Sequence, residues 1–193
     1  MANGERRRIC VFCGSSLGRR PEYAQAAAAL GALLAERGLA LVYGGAKVGL
    51  MGIVADACLA AGGEVIGVMP RLLVEKEVAH TGLSKLHVVE SMHDRKALMA
   101  ELSDAFIALP GGFGTLDELC EILTWAQLGL HAKPIGLLNV AGYFAGFVAL
   151  LEHAVAEQLL KPVHHNLLLV DPDAGQLLTR CLEAPTVEAI AKW

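Results

Sequence analysis

The stretch LPGGFGTLDEL, residues 109–119, joins a short apolar segment to a segment with helical periodicity through a turn rich in glycine. Ala105–Leu109 is short and apolar, which is typical of a buried strand. Beyond the turn, apolar residues recur at steps of three and four: Leu116, Leu119, Leu123 and Ala126. This spacing predicts a helix with one buried face. A strand that turns at once into a helix is the repeating unit of an α/β sheet.

The same alternation runs along the rest of the chain. Seven short apolar segments are predicted strands: Ile9–Cys13, Ala40–Tyr43, Val65–Met69, Leu86–Val89, Ala105–Leu109, Ile135–Leu138 and Leu167–Val170. Five longer segments are predicted helices: Pro21–Arg37, Leu50–Ala61, His93–Leu102, Leu116–Leu128 and Tyr143–Leu159. We therefore expect a single domain over residues 1–193, with a doubly wound, Rossmann-like α/β fold whose parallel sheet has helices on both faces.

Composition limits the class of protein and its partners. The 193 residues are 54% hydrophobic and 19% charged, with a formal net charge of −4, which favours a compact globular domain and disfavours a dedicated nucleic-acid binder. The uncharged run 134–151 contains Pro134, Asn139, Gly142 and Gly146, so strand, turn and helix are favoured over a membrane span. The apolar run ICVFC is too short for a signal peptide, and we expect a cytoplasmic protein without membrane or nucleic-acid partners.

The five cysteines do not form a recognisable metal or disulfide framework. Cys10 and Cys13 make a C-x-x-C pair inside a predicted strand, where positions three apart point to opposite faces. Such a pair suits neither a disulfide nor a shared metal, and no H-E-x-x-H motif is present. We expect buried, apolar cysteines and no metal or other cofactor.

Three strand-to-helix turns are unusually rich in small residues: CGSS (13–16), YGGAKVGLMG (43–52) and PGGFGT (110–115). Ligands of open α/β sheets bind beyond the carboxyl ends of the strands, where these turns lie. Amide groups at a helix start carry partial positive charge, and glycine lets a phosphate approach them closely. The sequence therefore predicts a site for a phosphate-bearing ligand.

The motifs favour a mononucleotide or a sugar phosphate over a dinucleotide. No segment matches G-x-x-x-x-G-K-[ST], and Asp117 stands where a third glycine would follow Gly112 and Gly114. On the predicted helix, Glu118, Glu121 and Thr124 form one stripe. An acid near a helix start can simply complement the helix dipole. The alternative is a role in binding. A carboxylate beside a phosphate loop would repel the phosphate, so it would face another part of the ligand, either a ribose hydroxyl or water near the anomeric carbon.

The segment PGGFGTLDE, residues 110–118, resembles the PGGxGTxxE motif of the LONELY GUY family of cytokinin riboside 5′-monophosphate phosphoribohydrolases. Further similar segments follow in order: VFCGSS, LVYGGAKVGLMGIVADA, VIGVMP, MHDRKALM and LTWAQLG. The resemblance covers roughly residues 8–170. Members have also been labelled lysine decarboxylases, a name that the motif does not support.

The resemblance implies that a homodimer hydrolyses the N-glycosidic bond of a nucleoside 5′-monophosphate, giving an adenine-type base and ribose 5-phosphate. It implies that Arg95 and Glu118 are catalytic. The substrate-binding residues would be Glu77, Arg95, Lys96, Gly112, Phe113, Gly114, Thr115, Leu116, Asp117, Glu118 and Thr124. Further candidates for the pocket are Gly14, Ser15, Gly44, Gly45, Met92 and Glu121.

Two alternatives stay open at the level of sequence. The same fold could belong to a non-catalytic mononucleotide-binding or carrier protein, although a pure binder has little use for a carboxylate such as Glu118 beside the ribose. A general AMP nucleosidase is the other alternative. An N6-prenyl pocket needs only apolar walls, and one or two methylenes are worth only about 1–3 kcal/mol of discrimination. Candidate walls are Met92, Met99, Leu128 and Leu130. We expect His164 and His165 to lie at the surface or to be hydrogen-bonded.

Overall fold

A seven-stranded sheet forms the centre of the protein. The computed structural model describes residues 7–76 and 78–184. The strands are β1 (Arg8–Phe12), β2 (Ala40–Tyr43), β3 (Val65–Pro70), β4 (Lys85–Val89), β5 (Ala105–Ala108), β6 (Ile135–Leu138) and β7 (Leu168–Asp171). They lie in the order β4-β3-β2-β1-β5-β6-β7, and every neighbouring pair is parallel. All seven strands match the sequence predictions to within one residue at each end.

Helices fill the connections between the strands. They are α1 (Pro21–Glu36), α2 (Gly49–Ala60), α3 (Arg71–Glu75), α4 (Met92–Glu101), α5 (Phe113–Gln127), α6 (Ala145–Ala156), α7 (Pro162–His165) and α8 (Ala174–Glu183). Helices α3 and α7 were not predicted, because they are too short to show helical periodicity, and α8 was not predicted either. The signal for α8 was present, because Asp173 caps its first turn and Leu177, Leu178 and Cys181 lie on one buried face.

Two apolar cores cover the two faces of the sheet. Ile9 and Val11 of β1 belong to a core that includes side chains of α1, α2 and α8. Cys10 and Phe12 point the other way, into a core that includes side chains of α4 and α5. The predicted doubly wound arrangement, with helices on both faces, is therefore confirmed. Cys13 lies in the first core, so the prediction that the C-x-x-C pair divides between the faces is also confirmed.

The strand order reverses between β1 and β5, which places a crevice at the carboxyl ends of these strands. From β1 the chain continues to β2 on one side, whereas β5 leads to β6 on the other. The turns that follow β1 and β5 must therefore diverge from a common point. Among residues 7–76 and 78–184, no helix combines the length and apolar character that a membrane crossing requires.

Candidate active site

The three glycine-rich turns meet at the carboxyl ends of β1, β2 and β5. The Gly14 amide donates a hydrogen bond to the Pro110 carbonyl over 3.0 Å, and the Gly14 carbonyl accepts one from the Leu50 amide over 3.0 Å. Gly49 adopts a φ of 59°, and a Cβ there would overlap the backbone of Ser15. A side chain at position 49 would thus be excluded both by backbone conformation and by space. The predicted turns form one packed cluster.

A cavity of about 270 Å³ opens beside this cluster. Its lining consists of Gly14, Ser15, Ser16, Leu17, Gly18, Tyr23, Leu50, Pro110, Gly111, Gly112 and Tyr143. The rings of Tyr23 and Tyr143 contact each other edge to face, with centroids 5.5 Å apart. The Tyr143 hydroxyl donates to the Gly111 carbonyl over 2.6 Å, which fixes the turn after β5. Sequence reasoning did not single out either tyrosine, because only the fold brings them to this turn.

Helix α5 begins inside the predicted phosphate loop. Gly112 is its N-cap residue, so Phe113, Gly114 and Thr115 form the first turn, three residues earlier than the predicted start at Leu116. The first amides of a helix have no intrahelical partner and form the positive end of its dipole. No side chain caps them, and both Gly112 and Gly114 face open space. The helix start therefore has the geometry of an anion site.

The other side chains of this first turn differ in exposure. Phe113 is 92% exposed, whereas Thr115 is buried with its hydroxyl beside Gly111. Leu116 packs against the core on the α5 face of the sheet. The motif thus exposes its backbone amides and buries the threonine hydroxyl next to the turn.

Arg95 of α4 and Glu118 of α5 form a buried ion pair. The distance from Arg95 Nη1 to Glu118 Oε1 is 2.7 Å, and the two side chains are only 10% and 9% exposed. Arg95 Nε also donates to the Val68 carbonyl within β3 over 3.1 Å. Burial raises the pKa of the Glu118 carboxyl, and the adjacent guanidinium opposes this rise. The fold thus brings together the two residues predicted to be catalytic.

Beside this pair, Lys96 binds two further carboxylates of α5. Its Nζ lies 3.0 Å from Asp117 Oδ2 and 3.2 Å from Glu121 Oε2. Burial lowers the pKa of the Lys96 ammonium, but its hydrogen bonds to Asp117 and Glu121 raise it by more, so the net direction is upward. Three more of the predicted residues are therefore in contact with one another.

The remaining candidates lie further from this group or outside the described residues. Thr124 is exposed and donates to the Cys120 carbonyl over 2.7 Å, six residues and about 9 Å along the helix beyond Glu118. Met92 is half exposed at the start of α4, whereas Met99 is buried in the core and offers no pocket wall. Leu128 and Leu130 follow the C-terminal end of α5, about 22 Å from its start, so within one chain they do not line its N-terminus. Glu77 lies outside the described residues.

Side chains able to bind a metal ion do not cluster in the part of the chain that the structure describes. Over residues 7–76 and 78–184, no group of three His, Cys, Asp or Glu side chains has the arrangement of a metal site.

Sequence comparison places this chain in a known family. A family model described as "Possible lysine decarboxylase" matches residues 51–181. A cytokinin riboside 5′-monophosphate phosphoribohydrolase of Arabidopsis thaliana is 48% identical over 92% of this chain and 82% of its own. An enzyme of the same name from Oryza sativa subsp. japonica is 47% identical over 98% of this chain and 81% of its own. The chain belongs to the LONELY GUY family.

Solved structures with the same fold extend beyond close relatives of this LONELY GUY protein. The molybdenum cofactor binding protein of Rippkaea orientalis superposes with a TM-score of 0.69 at 24% identity, covering 93% of this chain and 99% of that one. The molybdenum cofactor carrier protein of Chlamydomonas reinhardtii gives a TM-score of 0.68 at 22% identity, covering 91% and 99%. At these identities the likeness concerns the fold alone.

Two contacts of this candidate site could not be predicted from the sequence. The Val68 carbonyl that accepts from Arg95 is a backbone group of β3, and the valine side chain gives no hint of that role. Gly44 and Gly45, predicted as part of the pocket, are both buried. The Arg95 guanidinium lies directly against Gly44. The contact between Arg95 and Val68 depends on the fold, which packs α4 against β3.

Proposed function

We propose that this protein hydrolyses the N-glycosidic bond of adenosine 5′-monophosphates, including N6-substituted ones, and releases the free base and ribose 5-phosphate. The observation that supports this most is the buried Arg95–Glu118 pair, which lies beside an uncapped helix start. The two relatives named above carry the name of this activity at close to half identity over most of this chain. The site residues named below are part of the proposal.

The 5′-phosphate binds at the start of α5. The free amides of Phe113, Gly114 and Thr115 donate to its oxygens, and the helix dipole favours its charge. The protein carries a net charge of −4, so local geometry rather than a basic surface must hold the anion. Phosphate binding is remote from the reacting bond, and its binding energy orients the ribose.

Glu118 faces the ribose and a water molecule. Helical side chains lean toward the N-terminus of the helix, so the carboxylate lies on the phosphate side of its own Cα. As the C1′–N9 bond breaks, the sugar develops oxocarbenium character and the bonding electrons leave with the base. The water oxygen bonds to C1′ and keeps one proton as the new hydroxyl, while the other proton passes to Glu118. The departing base takes up a proton, which balances the one released from the water, and leaves as the neutral free base. The carboxylate also stabilises the positive charge on the sugar.

Arg95 keeps this carboxylate ionised. Without a cation, a carboxyl group as buried as Glu118 would favour its neutral form, which cannot accept a proton. The guanidinium at 2.7 Å favours the charged form. Lys96, one residue further along α4, supplies a second positive charge on the same side of α5.

Base release tests this proposal against a carrier of the same fold. Purified protein is incubated with AMP and with isopentenyladenosine 5′-monophosphate, without added metal, and free base is followed by chromatography. We expect release by the wild type and a loss of about 10²–10⁴-fold in Glu118→Gln. Glu101→Gln, an exposed carboxyl at the end of α4, is the matched control and should remain active.

Each outcome of this experiment decides between the alternatives. The ratio of the two rates gives the preference between adenine and cytokinin substrates. If AMP binds tightly but neither nucleotide yields base, the enzyme proposal fails and the mononucleotide carrier replaces it.

The proposal includes a homodimer in the cytoplasm. Helix α6 is strongly apolar, yet none of its residues is buried. Between α5, α6 and α7 lies a groove of about 290 Å³, lined by Cys120, Leu123, Thr124, Gln127, Phe147, Leu150, Leu151, Leu160, His164, His165 and Leu168. His164, expected at the surface or hydrogen-bonded, is instead buried, and neither ring nitrogen has a partner among the described residues. We expect sedimentation to give a dimer, and Leu150→Glu to give a monomer.

A further inference from the structure

The turn after β2 lies directly against the guanidinium of Arg95. A Cβ on Gly44 would overlap Arg95 Nη2, and it would lie 3.3 Å from Arg95 Cζ and 3.2 Å from Met51 Sδ. Gly44 is not among the glycines with positive φ, so alanine would fit its backbone conformation. Met51 is a flexible side chain and can adjust. The conflict created by a methyl group is therefore with the arginine.

The turn itself is held from its other side and has little freedom to retreat. The Gly45 carbonyl accepts from the His80 amide over 2.9 Å, and the Lys47 amide donates to the Val78 carbonyl over 2.9 Å. The His80 ring accepts from the Gly82 amide at Nδ1 over 3.0 Å. Its Nε2 then carries the proton and donates to Asp56 Oδ1 over 2.8 Å. Through these hydrogen bonds, residues 78–82 hold the turn 44–47 in place against the sheet.

The arginine is also fixed, at the other two nitrogens of its guanidinium group. Nε donates to the Val68 carbonyl and Nη1 to Glu118, so a shift of the group must lengthen at least one of these bonds. A guanidinium is planar, and these two hydrogen bonds define the orientation of its plane. Because hydrogen bonds fix the turn, a methyl group at position 44 displaces Arg95 rather than the backbone.

We propose that Gly44 is a positioning residue for Arg95. The absence of a side chain on Gly44 provides the space for Arg95 Nη2. The fixed turn sets the orientation of the guanidinium plane relative to Glu118. The glycine of the second turn thus serves the protein's own arginine rather than the substrate phosphate. The consequence for catalysis rests on the proposed function, whereas the contact between positions 44 and 95 does not.

A double-mutant cycle tests this assignment. Gly44→Ala, Arg95→Lys and the double variant are compared with the wild type in kcat and KM for AMP and in the free energy of unfolding. A misplacement of about 1 Å at a reacting group can lower a rate about 10²-fold. We expect that loss in kcat for Gly44→Ala, with KM changed by less than about threefold, because the start of α5 is untouched. Lysine lacks Nη2, so the same change in the Arg95→Lys background should alter kcat by less than about twofold.

Gly146→Ala is the matched control, since Gly146 also lacks a positive φ and faces open space. It should leave kcat unchanged and should not lower the free energy of unfolding, because alanine is favoured over glycine within α6. Equal effects of Gly44→Ala in the two backgrounds would overturn the proposal, because Gly44 would then act independently of Arg95. If Gly44→Ala fails to fold, recovery of folding in the double variant supports the proposal, and continued failure refutes it. If the wild type releases no base, the proposed function fails, and the unfolding cycle alone still decides whether the two positions are coupled.

Discussion

Two ion pairs join α4 to α5 through adjacent residues of each helix, yet they lie in different surroundings. Arg95 and Glu118 are about nine-tenths buried, and Arg95 is also bound to a backbone carbonyl. Lys96 is similarly enclosed, but its partner Asp117 is 61% exposed. The first pair is almost completely desolvated, whereas the second can be solvated from one side.

The difference bears on the role of each pair. Removing two charges from water is expensive, and a buried pair adds little net stability compared with well-packed apolar residues. A half-exposed pair is cheap to form and is worth about 0–1 kcal/mol. Burial of Arg95 and Glu118 is therefore poorly explained by stability and well explained by a site that needs a carboxylate in a dry environment.

The comparison predicts the largest effect for loss of the buried cation. Arg95→Ala leaves the Glu118 carboxylate buried without a partner, and we expect the free energy of unfolding to fall by about 3–5 kcal/mol. Urea denaturation followed by circular dichroism measures it. A loss below about 1 kcal/mol would show that the two pairs do not differ in the way described.

Activity should depend on pH through the same contact. Glu118 must be ionised to accept a proton, and burial raises its pKa, so activity should rise with pH above the ordinary carboxyl range. Arg95→Gln removes the guanidinium that opposes this rise, and the acid limb of kcat/KM should move up by about 1–3 pH units. Lys96→Gln should move it less, and an equal shift in both variants would contradict the contrast between the pairs.

The free energy of unfolding should depend on pH through Glu118, and the raised pKa fixes the direction of that dependence. Because the pKa of Glu118 is higher in the folded state than in the unfolded state, its carboxyl is neutral in both states at low pH and contributes nothing there. As pH rises through the interval between the two pKa values, the unfolded state ionises first and the wild type loses stability. Relative to Glu118→Gln, the loss should be about 1.4 kcal/mol for each unit of difference. A difference that stays constant between pH 4 and pH 8 would contradict the raised pKa.

The smallest change in the free energy of unfolding is expected at the partly exposed Lys96–Asp117 pair. Asp117→Asn should change the free energy of unfolding by less than about 1 kcal/mol, because the pair is partly solvated and Lys96 keeps Glu121 as a partner. The effect should shrink further in 1 M salt, where the screening length is about 3 Å. A larger, salt-independent loss would mean that the second pair is as desolvated as the first.

The sequence predicted much of the fold and much of the candidate site. The strand positions follow from local apolar runs that must be buried on both faces of a parallel sheet, and this requirement is visible residue by residue. The missed helices have another cause. Helices α3 and α7 have five and four residues, so no periodicity can develop, and their formation depends on what they pack against.

The amino-acid sequence by itself determined that glycine-rich turns end the strands, that a helix follows the turn after β5, and that Arg95 and Glu118 are candidate partners in catalysis. Only the tertiary structure decided that these two side chains touch, that they are buried, and that the Arg95 guanidinium lies against Gly44. The physical reason is the distance along the chain over which each effect acts. Periodicity and turn chemistry act over a few neighbouring residues, whereas the contact between α4 and α5 depends on how two helices pack on one face of a sheet. Desolvation, which raises the pKa of Glu118, exists only after that packing has formed.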